Sequence, residues 1–294
     1  MSLLELFCEI DDFCKGFEEG WHQHLLKDGV KKRNRKGNMS LSEMLTIVVH
    51  FHQIGFRNFK AFYLVYVWQH LRSEFPKLLS YTRFIQLMPH LVTPMSVYLQ
   101  SRYGTCTGIS FIDATAIAVC HNRRISQHRV FRNSASRGKT STGWFFGFKL
   151  HLVVNELGEL LGCCVTPANV DDRKPAPRLT AKLVGKLFAD MGYLSQPLFT
   201  KLWQHGLHLI TKIRKNMKNK LMVMTDKLLL RKRSIIETIN DQLKNISQIE
   251  HSRHRSLEGF MLNLLAGLVA YTHQPKKPSI YHDGLPILQA VIQN

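Results

Sequence analysis

The sequence predicts an α/β protein: an all-helical segment of about 105 residues, then a mixed five-stranded sheet with helices packed on its faces. Three observations carry this expectation. Before residue 105, apolar residues recur at helical spacing between capping signals. After it, β-branched and aromatic runs bounded by turn residues alternate with helical stretches. Across the 294 residues, 45% are hydrophobic, enough for a real core, so disorder is not the default reading.

In the first segment, Ser40-Leu41-Ser42-Glu43 is a capping box ahead of the periodic stretch EMLTIVVHFHQIG, and Gly55 ends that helix. Asn58 to His70 is a second, aromatic-rich helix. Ser80 caps a third, YTRFIQLM, which stops before Pro89. Short helices joined by turns are compatible with a helix-turn-helix reader of DNA ends, so residues 1–105 are a candidate DNA-binding domain. The basic run from Lys31 to Gly37 reads as a solvated loop able to touch phosphates.

In the second segment, Gly108 to Val119 (GISFIDATAIAV) is a β-rich apolar strand. Trp144 to Val154 is another, and the turn Asn155 to Gly158 joins it to a third strand from Glu159. Asp171 or Asp172 caps a helix running through Lys182 toward Leu187. KLFADMGY is a short strand ending at Asp190. Ser195, with Pro197 in the first turn, starts the next helix, through Trp203 to His205. His208 to Arg214 is a fifth strand. Helices follow from about Leu228 to Asn245 and from Ser256 to Tyr271. The order is βββαβαβα. The expected organisation is a helical domain over 1–105, a catalytic domain over 106–274 and a peripheral Pro-rich tail over 275–294.

Charge narrows the class of partner. Lys and Arg number 40 against 21 Asp and Glu, a net charge of +19 that points to a polyanion, most often nucleic acid. Residues 1–105 carry +4 of it and the remainder +15. No acid lies between Asp113 and Glu156, or between Asp190 and Asp226. The intervening stretches, HNRRISQHRVFRNSASRGK and TKIRKNMKNK, are basic; Arg123 and Arg124 in the first are candidate DNA contacts. Carboxylates isolated among basic segments suit a phosphodiester site, where bases hold phosphate and acids hold metal. No signal peptide is expected from the acidic start MSLLELFCEIDDF. The longest apolar stretch, residues 257–271, is too short to span a bilayer and reads as a core helix. Six cysteines without CxxC spacing read as reduced, cytosolic thiols.

Three carboxylates stand out. Asp113 lies mid-strand, sharing a face with Phe111, Thr115 and Ile117, where an ionised group is costly unless paired or bound to metal. Asp190 ends a short strand, where ligands of crossover sheets bind. Glu237 lies in RKRSIIETINDQLK. In a continuous helix it falls roughly 40° from Arg233, and Lys244 falls roughly 20° from Arg233, so the three share a stripe that also holds Asn240. Taken singly, each has an ordinary alternative: a satisfied structural Asp, a turn Asp before Gly192, and a surface salt-bridge ladder. Together they offer oxygen ligands suited to Mg²⁺ or Mn²⁺, and two such ions can activate an attacking hydroxyl and stabilise the leaving oxygen.

At these positions the chain resembles bacterial insertion-sequence transposases of the DDE class. The matching blocks are FIDAT, GFKLHLVVNELGELLG, ANVDDRKP, ADMGY, RSIIETINDQLK and HSRHRS, over roughly residues 106 to 272. The resemblance implies an RNase H-like catalytic domain in which Asp113, Asp190 and Glu237 are the metal-binding catalytic triad. It implies that Arg233 and Lys244 contact DNA, matching a signature of one branch; that branch has Tyr where this chain has Leu230. A β-rich insertion found in many relatives is absent, because only about a dozen residues, near Lys215 to Asp226, precede the Glu helix. Lys149 and His151 are weaker candidates for the same groove. The implied activity is metal-dependent cleavage at the ends of a mobile element and strand transfer into target DNA. The implied partners are double-stranded terminal inverted repeats and target DNA, with a homodimer when assembled on DNA, no membrane, and a place in the bacterial cytoplasm at the nucleoid. A metal-dependent nuclease on the same fold, or a non-catalytic DNA-binding protein, are the other readings of these residues.

Overall fold

The structure is a computed structural model that describes residues 1–27, 37–141, 143–212, 222–250 and 254–280. Most of the Lys31–Gly37 run, residues 213–221 of the second basic stretch with the end of the fifth predicted strand, His251, and the tail beyond residue 280 lie outside the described residues.

The chain begins with a long helix, α1 (Leu3–Lys27), followed by α2 (Leu41–Gln53). Ser40 caps α2 in the expected box: its hydroxyl accepts from the Glu43 amide while the Glu43 carboxylate accepts from the Ser40 amide. Gly55, at φ +74°, turns the chain after α2, a conformation glycine adopts without cost. Asn58 caps the helix expected over 58–70, which is α3 (Phe59–Ala61), a π-helical segment (Phe62–Val67) and α4 (Trp68–His70). Ser80 caps α5 (Tyr81–Leu87), and after the turn at Pro89 comes α6 (Val92–Ser101).

The sheet follows: β1 (Ile109–Cys120), β2 (Ser136–Thr140), β3 (Gly143–Asn155), β4 (Leu160–Pro167), β5 (Gly185–Ala189) and β6 (Leu207–Thr211). Between them lie α7 (Ala176–Leu179) and α8 (Gln196–Trp203), capped by Ser195, then α9 (Met224–Lys232), α10 (Ser234–Asn245) and α11 (Leu257–Thr272), capped by Ser256. β3 is the centre. One edge pairs antiparallel with β1, and the other pairs with β4 and, further along, with β2. β5 and β6 continue from β1 in parallel. The architecture is therefore a mixed sheet with helices, consistent with an RNase H-like domain, and among the described residues its strands number six where five were expected.

The sixth strand, β2, is a correction: SRGKT carries no apolar alternation, and its pairing comes from β3, whose residues 143–147 run beyond the end of β4. The helix expected through Lys182 to Leu187 is a second correction. Only Ala176–Leu179 is helical, and Gly185, at φ +92°, starts β5. Helix 228–245 is a third: it breaks at Arg233, where the Ile236 amide bonds back to the Arg233 carbonyl in a tightened three-residue turn.

The sheet has two faces set by the alternation of side chains. Ile112, Val153, Leu187, Ala189, Leu207 and Leu209 form one core, covered by Ala176 of α7 and Leu198 and Leu202 of α8. Phe111 and Phe188, paired in register, point the other way, toward α9, which the Lys186–Asp226 ion pair at 2.6 Å ties to β5. Asp113 and Asp190 share the parity of Phe111 and Phe188, so the strand pattern delivers both carboxylates to this second face.

By contact the chain forms two compact units, residues 1–102 with 243–275, and residues 103–242 with 276–294. The first boundary falls near the expected 105. The first unit also takes in residues 243–275, because α11 is apolar around nearly its whole circumference and buries Phe260 and every residue from Leu262 to Thr272, packing against α2 and α6. No described helix is long and apolar enough to cross a membrane.

Three histidines withdrawn from water set the acid behaviour. Burial pushes His52 and His254 in the first unit, and His151 in the second, down to about 4 from 6.5. The imidazoles are neutral in the folded state, and the unfolded chain binds more protons between those values. Their stabilising contribution is full above pH 6.5 and is lost as pH falls toward 4, by about 1–2 kcal/mol each at pH 5. The raised Asp113 carboxyl acts in the opposite sense over this range, but the three imidazoles together outweigh it, so thermal unfolding should give a melting temperature that falls from pH 7 to pH 4.5; a rise over that range contradicts the burial.

Candidate active site

Asp113 sits near the middle of β1, past the point where β5 stops pairing with it, so its edge of the strand opens at the carboxyl end of β5. Asp190 is the residue directly after β5. Glu237 is in the first turn of α10, where the helix dipole favours a carboxylate. Arg233, in the break between α9 and α10, gathers all three. Its guanidinium is 2.6 Å from the Glu237 carboxylate, 3.9 Å from that of Asp113 and 4.0 Å from that of Asp190. The Arg233 side chain is only 12% exposed, against 22% for Asp113, 48% for Asp190 and 56% for Glu237. Asp113 is therefore the floor of the site, and the other two acids form its mouth.

The electrostatics are unbalanced. With all three acids ionised, one guanidinium leaves the cluster at net −2. The Asp113 carboxyl is raised to about 6, by burial first and then by the Glu237 and Asp190 charges, with the Ala114 amide and Arg233 acting against the rise. From α10, the Asn240 amide nitrogen donates to Asp113 at 3.2 Å, and its buried carbonyl oxygen has no hydrogen-bond partner among the described residues. Helical spacing places Asn240 on the Glu237 side of α10, as expected.

Tyr193 is a residue that sequence reasoning missed. It is buried, and its hydroxyl has no hydrogen-bond partner among the described residues. Its ionisation is pushed well up by burial and by the charges of Asp172, Asp113 and Asp190. It belongs to the same ADMGY block as Asp190, and an aromatic three residues after a strand-end Asp is the signal that was available.

Other expected contacts lie elsewhere. Lys149 and His151 alternate onto the opposite face of the sheet from Asp113, which pairs in register with Leu152. Lys149 is held by the Asp172 carboxylate at 2.8 Å and the Val170 carbonyl at 3.0 Å, and buried His151 bonds the Thr166 hydroxyl at 2.8 Å. Lys244, the lysine of the helical stripe, pairs with Glu250 at 3.2 Å inside the other compact unit. Arg123 and Arg124 are exposed on a short 3₁₀ turn after β1 (Asn122–Gln127).

The donor set fits a hard divalent cation. It offers carboxylate oxygens and an unpartnered amide oxygen around a site short of positive charge. As the side chains stand, no three His, Cys, Asp or Glu groups among the described residues are arranged to hold a metal, and Arg233 is the cation at their centre.

Compared with known families, residues 103–257 match the Transposase DDE domain family, more than half of the chain. The chain belongs to that family: it is a DNA transposase in the general sense, with DNA as its substrate, and such enzymes generally use divalent metals. No curated protein matches the chain.

If the acids form a cation site, Mg²⁺ should raise the melting temperature, and the rise should grow from pH 5 to pH 7.5 as Asp113 ionises through about 6. The Asp113→Asn/Glu237→Gln variant should show no rise. An equal rise in that variant places the cation elsewhere.

Proposed function

We propose that this protein cuts DNA at the ends of a mobile element and joins the freed 3′-hydroxyl to target DNA, using Asp113, Asp190 and Glu237 to hold Mg²⁺ or Mn²⁺, two ions in the working complex. The single observation that carries this reading is the convergence of three carboxylates, from a mid-strand, a strand end and a helix, on the half-buried guanidinium of Arg233. When bound, divalent ions supply Lewis-acid activation of the attacking hydroxyl and neutralisation of charge on the leaving oxygen.

The chain's own groups set the conditions. Asp113, desolvated at the floor, gains most from a cation above pH 6. Asn240 fixes the Asp113 carboxylate from the helix side and leaves its own oxygen available. Arg233 offsets part of the acids' charge in the absence of an ion, and it lies where it can turn to a phosphate once they are otherwise compensated. Arg123 and Arg124, exposed and basic, contact the DNA backbone. The substrates are the double-stranded terminal inverted repeats and the target duplex, bound by a homodimer that pairs two ends.

The test uses labelled end DNA and a supercoiled target in Mg²⁺. Wild-type protein should nick the end and produce joined products. Asp113→Asn should lose both by about 10³-fold or more while end binding is retained. Cleavage without joining would mark a nuclease instead, and cleavage surviving in Asp113→Asn would remove the carboxylate site from the chemistry.

A further inference from the structure

We propose that the β2–β3 hairpin forms a second DNA site, which takes an unpaired nucleotide by stacking its base on Trp144 and holding the flanking phosphates on Arg137 and Lys139. The proposal rests on the DNA-handling reading above and concerns a different part of the domain. Trp144 lies eight residues along β3 from Leu152, the register partner of Asp113, a span on the order of 26 Å in extended chain.

The first observation is the exposure of Trp144. It is 62% exposed, although its neighbours Phe145, Phe146 and Phe148 are buried. A tryptophan held in water on a rigid strand leaves a large flat apolar surface uncovered. Its position is fixed by β-pairing on one side, and by the Asn122 amide nitrogen, which donates to the Trp144 carbonyl at 2.7 Å.

The second observation is the register. β2 turns a stretch that reads as a basic loop into a strand, so Arg137 and Lys139 fall on one face. Lys139 pairs with Trp144 and Arg137 with Phe146. The Lys139 ammonium is 5.8 Å from the indole centroid. Neither Arg137 nor Lys139 has a carboxylate partner among the described residues, and no acid occurs between Asp113 and Glu156.

The third observation is a groove. A concavity of about 490 Å³ is lined by Arg137, Lys139, Trp144, Asn169, Asp171 and Lys149, among others. Of its charged groups Asp171 is bonded to Arg173 and Asp172 to Lys149, which leaves Arg137 and Lys139 as its cations without a carboxylate partner among the described residues. Gly138 also lines it. A Cβ there would stand 2.5 Å from the Ala168 carbonyl oxygen, so only glycine lets β2 lie against the chain leaving β4.

A flat aromatic surface beside two cations suits single-stranded nucleic acid, since every base has a face to stack and a duplex keeps those faces covered. The occupant is therefore an unpaired stretch of DNA, such as a strand frayed at an element end.

The test is fluorescence anisotropy on the full-length protein without divalent metal. The probes are a labelled 15-nucleotide oligothymidylate and a blunt duplex of the same length. Trp144→Ala should weaken oligothymidylate binding about tenfold, Trp144→Phe should stay within about twofold of wild type, and the duplex should be unaffected by either. Arg137→Ala/Lys139→Ala should lower the salt dependence of oligothymidylate binding by about 1.4 in the log–log slope. Unchanged oligothymidylate binding in Trp144→Ala, or an equal loss on the duplex, overturns the stacking site. This readout needs no cleavage, so it stands apart from any failure of the carboxylate chemistry.

Discussion

A carboxylate in the middle of an apolar strand must be compensated, and in this protein the compensation is Arg233. Asp113 follows the buried Phe111 and Ile112, and its register partner on β3 is the buried Leu152. Burial raises its ionisation to about 6, and Arg233 acts against that shift. The same guanidinium bonds Glu237 and comes within 4.0 Å of Asp190. Three elements that are distant in sequence are thereby drawn to one point. The break between α9 and α10 makes this reach available: it places Arg233 outside both helices, one tightened turn ahead of Glu237.

The sheet explains why the acids face one way. β1 and β5 are parallel and in register through Phe111 and Phe188, and two further residues along each strand place Asp113 and Asp190 on the same face. The opposite face is a closed apolar core beneath α7 and α8. A one-residue slip in either strand would bury the carboxylate in that core. The register thus decides which face carries the carboxylates, and the family match over residues 103–257 spans the elements that enforce it.

Much of this was legible in the sequence because the signals were local. The caps at Ser40, Ser80, Ser195 and Ser256 fall where hydroxyl residues precede apolar periodicity. The β3–β4 hairpin follows from Asn155 to Gly158, and Asp113 is conspicuous as an acid inside FIDAT. What was hidden depends on partners. SRGKT is a strand only because β3 offers it an edge, and nothing in its own pattern says so. Lys149 and His151 lie on the strand that pairs with β1, yet period-two alternation turns both from Asp113, and Asp172 claims the lysine. The break at Arg233 was invisible to a helical wheel, which placed Arg233 near Glu237 for a reason that the tightened turn replaces. Tyr193 depends on the fold around Asp190 and has no periodic signature of its own.

The central claim is that Arg233 stands in for a divalent cation among Asp113, Asp190 and Glu237. A crystal structure with Mn²⁺ and its anomalous difference map tests it most directly. The account predicts a peak about 2.1 Å from oxygens of at least two of these carboxylates, with the Arg233 guanidinium displaced from Glu237. A structure with Mn²⁺ bound only elsewhere, and Arg233 still bonded to Glu237, would contradict it.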